Sequence, residues 1–341
     1  MAGRLAMAWL LLFSLVAATI APLLGPTPLD PVAALASGWA QLTGRPAGDP
    51  IAAQILALRL PRVCLGWIAG AGLAVAGAAF QGLFRNPLAT PYTSGVVAAA
   101  SLGAATVILC PGMKFGVLGS LGVGAAALAA ALVETGLLAL LTLRSAGLHM
   151  EGILLAGITF NFLATALLLL LRALTAAPLQ LLYLDRWLMG GLDVVGWDWL
   201  PLIPAAAAGV AVLLFFAPAL DQLALSHDLA ASRGVRVAWT TAGTLLAAAL
   251  VTAAVVAAVG PIGFVGLLVP NAVRSLLGAS HPRLLLGSLF AGGGFLVLCD
   301  AAVRLLSAGR AGGELPVGVL TALLGGPLFL ILLVRSLRGP R

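Results

Sequence analysis

Nine stretches of this chain contain no Asp, Glu, Lys or Arg and are long enough to cross a lipid bilayer as helices. They lie at 5–29, 63–84, 86–113, 115–133, 152–171, 199–220, 237–273, 284–299 and 315–334. The stretch 237–273 is too long for a single crossing, and it contains the helix-breaking sequence Gly260-Pro261-Ile262-Gly263. We therefore expect one span before this break and a shorter one after it. The pattern predicts an all-α, polytopic membrane protein with ten spans.

The composition also requires lipid as the main solvent. Hydrophobic residues make up 62% of the chain and charged residues only 9%, whereas a soluble domain carries roughly 25% charge. The apolar run that follows Arg4 and reaches Leu24 exceeds the ~7–15 residues of a secretory signal. It is therefore predicted to be the first span.

The distribution of basic residues sets the expected orientation. With the N-terminus in the cytoplasm and ten crossings, ten basic residues fall inside and eight outside, a weak positive-inside bias. The tail with Arg335, Arg338 and Arg341 is the strongest anchor, and it places the C-terminus in the cytoplasm as well. Residues 1–341 form one transmembrane domain. Its halves, approximately 1–180 and 181–341, hold five spans each and would enter the membrane in opposite orientations.

Three charged residues lie inside apolar runs, where each should face protein or water. Asp300 and Arg304 are four positions apart and can pair on one helix face, which favours a structural role. Glu134 has no such neighbour. It could act in a proton relay or make an interhelical hydrogen bond, and the sequence leaves both readings open.

Several functional classes find no support in the sequence. There is no run of basic residues with interleaved aromatics, so nucleic acid is not an expected partner. The three cysteines and three histidines are scattered, so no metal site is expected. The only lysine, Lys114, follows Met113, so the ATP-binding pattern GxxxxGK[ST] is absent. Energy must come from another chain, or transport is passive.

The polar segment 221–236 between two spans has the pattern of a short helix. Ser226 can cap its N-terminus, Asp228 lies in its first turn, and Gly234 suits its end. One face is apolar. Such a helix can lie on the membrane surface or dock into a partner's groove, and composition alone does not separate the two.

Four motifs occur in order along the chain. They are Leu58-Arg-Leu-Pro-Arg62 followed by Gln81-Gly-Leu-Phe-Arg-Asn86-Pro87; Trp187 with Gly190-Gly191; Gly260 to Pro270; and Glu314 to Thr321 leading into Gly325-Gly326-Pro327. Each motif alone is weak. Together, in this order and spacing, they closely resemble the permease family of ABC importers for iron chelates, haem and vitamin B12, often called FecCD-type.

The resemblance implies the type II ABC importer permease fold, with ten transmembrane helices in two inverted five-helix halves, in the cell inner membrane. It implies a homodimer that works with two ATPase subunits and a periplasmic or lipid-anchored substrate-binding protein. The chain would not be an enzyme and would hold no cofactor, since ATP and magnesium belong to the partner. The expected function is import of a bulky iron chelate, siderophore or haem. The alternatives are import of a corrinoid such as vitamin B12, and an ATP-independent secondary transporter or channel.

The resemblance also implies roles for individual residues. The expected ATPase-coupling residues are Leu223, Leu225, Ser226, Leu229, Arg233 and Gly234. The expected contacts to the binding protein are Arg59, Arg62 and Arg304. The expected pathway and gate residues are Met150, Glu151, Asn161, Thr165, Val317 and Thr321. The remaining family-motif residues are Gln81, Asn86, Pro87, Gly260, Pro261, Gly263, Pro270, Glu314 and Pro316.

Two positions depart from the family pattern. Asn271 stands where the family usually has His, which puts any role of that imidazole in doubt here. Met150-Glu151 stands where related permeases often have small hydroxyl residues, which predicts a differently built inner gate.

Overall fold

The computed structural model of the chain describes residues 2–27, 29–43, 49–110, 122–144, 150–193, 196–308 and 314–337. Within these residues the fold is entirely helical, with thirteen α-helices and two short 3-10 turns. The α-helices are α1 (Ala2–Ile20), α2 (Pro31–Thr43), α3 (Pro50–Leu83), α4 (Val96–Leu109), α5 (Gly122–Arg144), α6 (Met150–Ala173), α7 (Pro178–Leu188), α8 (Ile203–Leu225), α9 (His227–Ser232), α10 (Val237–Val259), α11 (Val265–Leu277), α12 (His281–Leu306) and α13 (Val317–Leu337).

Ten of these helices are apolar and follow the order of the ten predicted spans. Seven are long and apolar enough to cross a membrane: α1, α3, α5, α6, α8, α10 and α12. The helices α4, α11 and α13 contribute shorter apolar segments. The chain leaves the helical path at Gly260 to Phe264, where the break was predicted. The start of the predicted span 115–133 and the tail 338–341 lie outside the described residues.

Two helix boundaries differ from the prediction, for one physical reason. The helix α3 begins at Pro50, well before the predicted position 63, because Asp49 caps it by accepting from the amides of Ile51 (2.9 Å) and Ala52 (3.1 Å). The helix α5 continues through Glu134 to Arg144. Charged residues do not end a helix when they have partners or burial inside the protein, so stretches without charge underestimate helix length.

The centre of the molecule is α3, which α12, α11 and α10 surround closely. At the crossing of α3 and α12, a Cβ added to Gly70 would lie 2.2 Å from the Gly292 carbonyl oxygen. At the crossing of α3 and α11, a Cβ on Gly77 would lie 1.9 Å from the Gly266 carbonyl oxygen. Glycine therefore lets these backbones touch, as small residues do in membrane helix pairs.

The connections between spans define two faces of the bundle. The loops that follow α3 and α8 lie on one face, where Arg85 Nε donates to the Leu223 carbonyl oxygen at 2.9 Å. We call this the α9 face, after the short helix in its longest connection. The connections that hold α2 and α7 lie on the opposite side, which we call the α7 face.

Candidate functional site

A charged cluster on the α7 face joins three distant segments of the chain. Arg62 Nε and Nη2 donate to Asp300 Oδ1 at 2.9 and 2.8 Å, and Arg62 Nη1 donates to Glu314 Oε2 at 2.5 Å. Arg304 Nε lies 3.0 Å from Asp300 Oδ2. The predicted pairing of Asp300 with Arg304 on one helix face is therefore confirmed. The Asp300 side chain is only 1% exposed, so the cluster neutralises a buried carboxylate.

The other guanidinium groups of this cluster bind main-chain carbonyls in the segment after α1. Arg59 donates to Pro22 (3.0 Å) and Thr27 (2.8 Å). Arg304 donates to Leu24 (2.7 Å) and Ala21 (3.0 Å). These four carbonyls, together with the Asp300 carboxylate beside Arg304, thus hold two cations that are both buried. All four carbonyls lie beyond the end of α1 and before α2, where the guanidinium groups help to satisfy them.

The three arginines that the resemblance assigns to contacts with a binding protein differ in exposure, and that role stays a prediction. Arg59 and Arg304 are 8% and 2% exposed and point into the protein. Their burial follows from the extended start of α3, which carries Arg59 alongside the segment after α1. Arg62 reaches the surface only at its edge, beside the partly exposed Glu314.

The fully accessible charges of the α7 face lie around α7 instead. Arg172 pairs with Asp185, and Arg186 pairs with Asp193 at 2.7 Å. The hydrogen bond to Asp193 raises the pKa of the Arg186 guanidinium. Both pairs are substantially exposed to solvent, so they form the charged surface that a soluble partner would meet first.

Four glycines from three sequence motifs meet beneath this surface. The amide of Gly191 donates to the Val259 carbonyl (2.9 Å), and the amide of Gly318 donates to the Gly190 carbonyl (3.1 Å). Gly190 and Gly260 have φ values of +66° and +68°, which glycine adopts most readily. A Cβ on Gly190 would lie 2.0 Å from the Pro261 carbonyl oxygen. The end of α7, the break before α11 and the start of α13 therefore form one backbone junction.

A polar network on the α9 face joins the end of α3 and the turn after it to α11. Arg274 donates to Gln81 Oε1 (2.9 Å) and to Asn271 Oδ1 (3.1 Å). The Asn271 amide donates to the carbonyls of Pro87 (3.0 Å) and Leu267 (2.8 Å). Asn86 Oδ1 accepts from the Leu88 amide at 2.9 Å. Asn271 thus fastens α11 to the turn after α3. The role of Arg274 was not predicted, although its i,i+3 spacing from Asn271 indicated that the two side chains could meet.

The predicted short helix of segment 221–236 is present as α9. Ser226 Oγ accepts from the Leu229 amide at 2.9 Å, and Gly234 has φ +85°, so the predicted cap and stop are both confirmed. Leu229, Arg233 and Gly234 are exposed. Leu223 and Leu225 differ from the prediction because they belong to the end of α8, where Leu223 is buried and Leu225 is 64% exposed.

Buried contacts fix the position of α9 and of the neighbouring end of α8. Ala230 is fully buried, and Arg85 fixes the end of α8 through the Leu223 carbonyl. Asp221 Oδ1 accepts from the His281 amide (2.7 Å) and lies 2.6 Å from His281 Nδ1, which connects α8 to the start of α12. The sequence analysis missed Asp221 and His281, which are 60 positions apart. Exposed Leu225 and Leu229 therefore sit on a well-anchored support.

The predicted pathway residues fall into two groups. On α6, Glu151 and Thr165 are exposed and Asn161 is half-buried, with the Thr165 hydroxyl donating to the Asn161 carbonyl at 2.7 Å. On α13, Val317 and Thr321 are 2% and 0% exposed, so they pack inside this chain. Met150 begins α6, but its side chain is outside the described part of the structure.

The packing of α13 depends on the break before α11. Phe264 has φ +68°, and a Cβ on Gly325 would lie 2.2 Å from its ring. Pro316 and Gly263 flank these contacts in sequence, just before α13 and just before Phe264. Among the described residues, no group of three or more His, Cys, Asp or Glu side chains could hold a metal ion.

Comparison with known proteins identifies the family that shares these motifs. A family model, the FecCD transport family, matches residues 9–335. The chain belongs to the FecCD transport family. It is therefore the permease of an ABC importer of the FecCD type and an integral membrane protein. ABC importer permeases work with ATPase and substrate-binding partners and usually dimerise.

Individual FecCD permeases and a solved structure cover most of the chain. It is 38% identical over 290 residues to the cobalamin import system permease protein BtuC of Halobacterium salinarum, covering 84% of this chain and 75% of that protein. It is 36% identical over 282 residues to the hemin transport system permease protein HmuU of Yersinia pestis, covering 82% and 83%. A metal-chelate type ABC transporter solved in an inward-facing conformation matches with a TM-score of 0.81 at 27% identity, over 97% of this chain and 99% of that one.

Proposed function

We propose that this FecCD permease forms a homodimer that imports a bulky iron chelate, siderophore or haem, driven by two separate ATPase subunits and loaded by a substrate-binding protein. The α9 face is the cytoplasmic side, with both termini, and the α7 face is the outer side. The observation that carries the proposal is the exposed pair Leu225 and Leu229 on the anchored α9 support. We call this exposed pair, Leu225 and Leu229, the α9 knob. Apolar side chains held in place on a polar surface are suited to insertion into a groove on a partner.

Two short helices at corresponding positions favour the hypothesis that the chain consists of two inverted halves. α4 and α11 are each the third apolar helix in their set of five, with 14 and 13 residues. Each follows a residue in the left-handed region, Gly95 (φ +95°) and Phe264 (φ +68°). Short, interrupted helices at corresponding positions are typical of inverted-repeat transporters. This correspondence favours halves at about 1–180 and 181–341.

The proposed pathway lies between the two copies, beside the exposed face of α6. Thr165, Phe162 and Leu155 share that face and have no cover in the single chain. The helix α13 holds its position through the buried Val317 and Thr321. Docking on the outer side involves the exposed charge pairs of α7 and the edge formed by Arg62 and Glu314, which Arg59 and Arg304 support from inside. Such charges set register and encounter rate more than affinity.

Truncation of the α9 knob tests the ATPase coupling. The double variant Leu225→Ala and Leu229→Ala should lose at least tenfold of the copurifying ATPase subunit, since its apolar contact is removed. The control is Leu35→Ala on α2, because Leu35 is also strongly exposed (77%) but lies on the α7 face. An intact complex in the double variant would reject the assignment of the α9 face.

Uptake assays with the complete transporter test the cargo class. The iron proposal is supported by similarity to a hemin permease and to a metal-chelate transporter. Similarity to a cobalamin permease makes a corrinoid the second candidate. Cells with and without this chain should differ in uptake of a ferric siderophore or of haemin, and not of cyanocobalamin. Uptake that persists when the ATPase is inhibited by vanadate would instead indicate an ATP-independent transporter.

A further inference from the structure

A groove runs along the membrane-facing surface where α4, α5 and α6 meet. Its volume is about 510 Å³, within the range of small-molecule sites. Apolar side chains line most of it, including Leu102, Val133, Leu163 and Leu167. Val133, Leu163 and Leu167 are strongly exposed at its rim, so the groove opens sideways, away from the core of the chain.

One carboxyl group lies in the wall of this groove. Glu134 is 6% exposed. Its Oε2 accepts from the Thr135 hydroxyl at 3.2 Å, and its Oε1 has no hydrogen-bond partner among the described residues. Oε1 lies so close to Gly95 that a Cβ there would be 2.9 Å away. The absence of a side chain at Gly95 leaves space for the carboxyl group, yet Oε1 has no hydrogen-bond donor among the described residues. A buried acceptor of this kind is rare in folded proteins.

The three helices that form the groove offer Glu134 no counter-charge. The helix α4 carries no ionisable residue, and the other charges of α5 and α6 are Arg144, Glu151 and Arg172, at the helix ends. At 1.5 Å per residue, Arg144 is about 15 Å along α5 from Glu134. A lone carboxylate at this depth is strongly unfavourable, so the group is held as the neutral acid until a cation pairs with it.

We propose that this groove binds a free lipophilic primary amine, with Glu134 as the counter-ion for its ammonium group. The alkyl chain lies along the apolar wall, and the ammonium pairs with the Glu134 carboxylate where that side chain lines the groove. The depth of Glu134 selects a free amine over an amine-bearing lipid, whose headgroup stays at the membrane surface. Charge-assisted hydrogen bonds to a buried carboxylate are the strongest available to such a ligand.

The proposed amine site does not depend on which cargo the permease transports. Its ligand would lie between α6 and the pair α4–α5. Because α6 is also the proposed pathway helix, an occupant would restrain that helix and slow transport, which makes the groove an inhibitory site.

Binding to the intact permease in lipid nanodiscs tests the proposal. Dodecylamine should bind saturably, and Glu134→Gln should weaken it at least tenfold because the ionic partner is lost. Dodecanol, the uncharged match, should bind both proteins equally and weakly. Equal dodecylamine affinity in the two proteins, or saturable dodecanol binding in the wild-type protein, would overturn the proposal.

A chemical test on the unmutated chain covers the case in which Glu134→Gln fails to fold. A hydrophobic carbodiimide adds to a carboxylic acid to give an O-acylurea, and a bound amine then attacks the acyl carbon. The products are the amide and a urea. Mass spectrometry should find the dodecylamide at Glu134 well above that at the exposed Glu151. Val133→Trp, at the rim, should suppress it. Equal coupling at both glutamates, no coupling at Glu134, or no effect of Val133→Trp would refute the site.

Discussion

Arg62 and Glu314 form an ion pair with 2.5 Å between Nη1 and Oε2, although 252 positions separate them in sequence. The pair links α3 to the segment that leads into α13. Through Asp300 it also includes α12. Three helices of the α7 face therefore depend on a single guanidinium and its two carboxylates.

Removal of the central carboxylate should be the most damaging change in this cluster. Asp300→Asn leaves Arg62 and Arg304 buried beside a neutral group, and we expect a loss of about 3–5 kcal/mol of stability. Thermal unfolding of the purified protein measures it. The control is Asp193→Asn, whose exposed pair with Arg186 should contribute less than ~1 kcal/mol. Similar losses in the two variants would contradict the buried role of Asp300.

The backbone junction on the α7 face should not accept any side chain. Gly190→Ala places a Cβ 2.0 Å from the Pro261 carbonyl oxygen at a positive φ, so we expect little folded protein. Gly326→Ala is the matched control, because nothing described lies within 4 Å of a Cβ there. Size-exclusion chromatography of both variants compares them. A monodisperse Gly190→Ala protein at wild-type yield would disprove the junction.

Asn271 should stabilise the α9 face through its two amide hydrogen bonds. Asn271→Ala leaves the Pro87 carbonyl without this donor, and we expect a loss of about 1–2 kcal/mol. Ser275→Ala serves as the control on the same helix, since the exposed Ser275 bonds only within its own turn. If chemical denaturation ranks Ser275→Ala as the more damaging change, Asn271 does not fasten α11 to this turn.

The Ser226 cap should govern the order of α9. Ser226→Ala removes the acceptor for the Leu229 amide and should cost ~1 kcal/mol locally. Hydrogen exchange of residues 227–232 should accelerate, and Ser226→Asp should restore protection because Asp also caps. Ser232→Ala, near the end of the helix, should have a smaller effect. Unchanged exchange in Ser226→Ala would show that tertiary contacts alone order α9.

The sequence was sufficient wherever the deciding interaction is local. The helix α9 could be predicted from Ser226 and Gly234, because an N-cap and a C-terminal glycine each act on the adjacent turn of the helix. Gly260 and Pro261 predicted the break before α11 for the same reason. The ten apolar segments likewise follow from hydropathy, which each segment carries by itself.

Prediction was weaker where the partner lies far along the chain. Arg59 and Arg304 looked like outer-surface charges, because nothing near them reveals the carbonyls of residues 21–27 that surround them. The start of α3 was misplaced for a different reason, since arginines that end an apolar stretch can still lie within a helix. The burial of Val317 and Thr321 likewise could not be read from the sequence, and their place on the pathway stays a prediction.

The backbone contacts of α3 limit how this protein can move. Where Gly70 meets Gly292 and Gly77 meets Gly266, the backbones themselves are in contact, so a change of side-chain rotamer can absorb little displacement. The helices α3, α11 and α12 must therefore shift together, as a rigid pivot. Any change of shape during transport falls to the sparsely covered helices at its periphery, α6 above all.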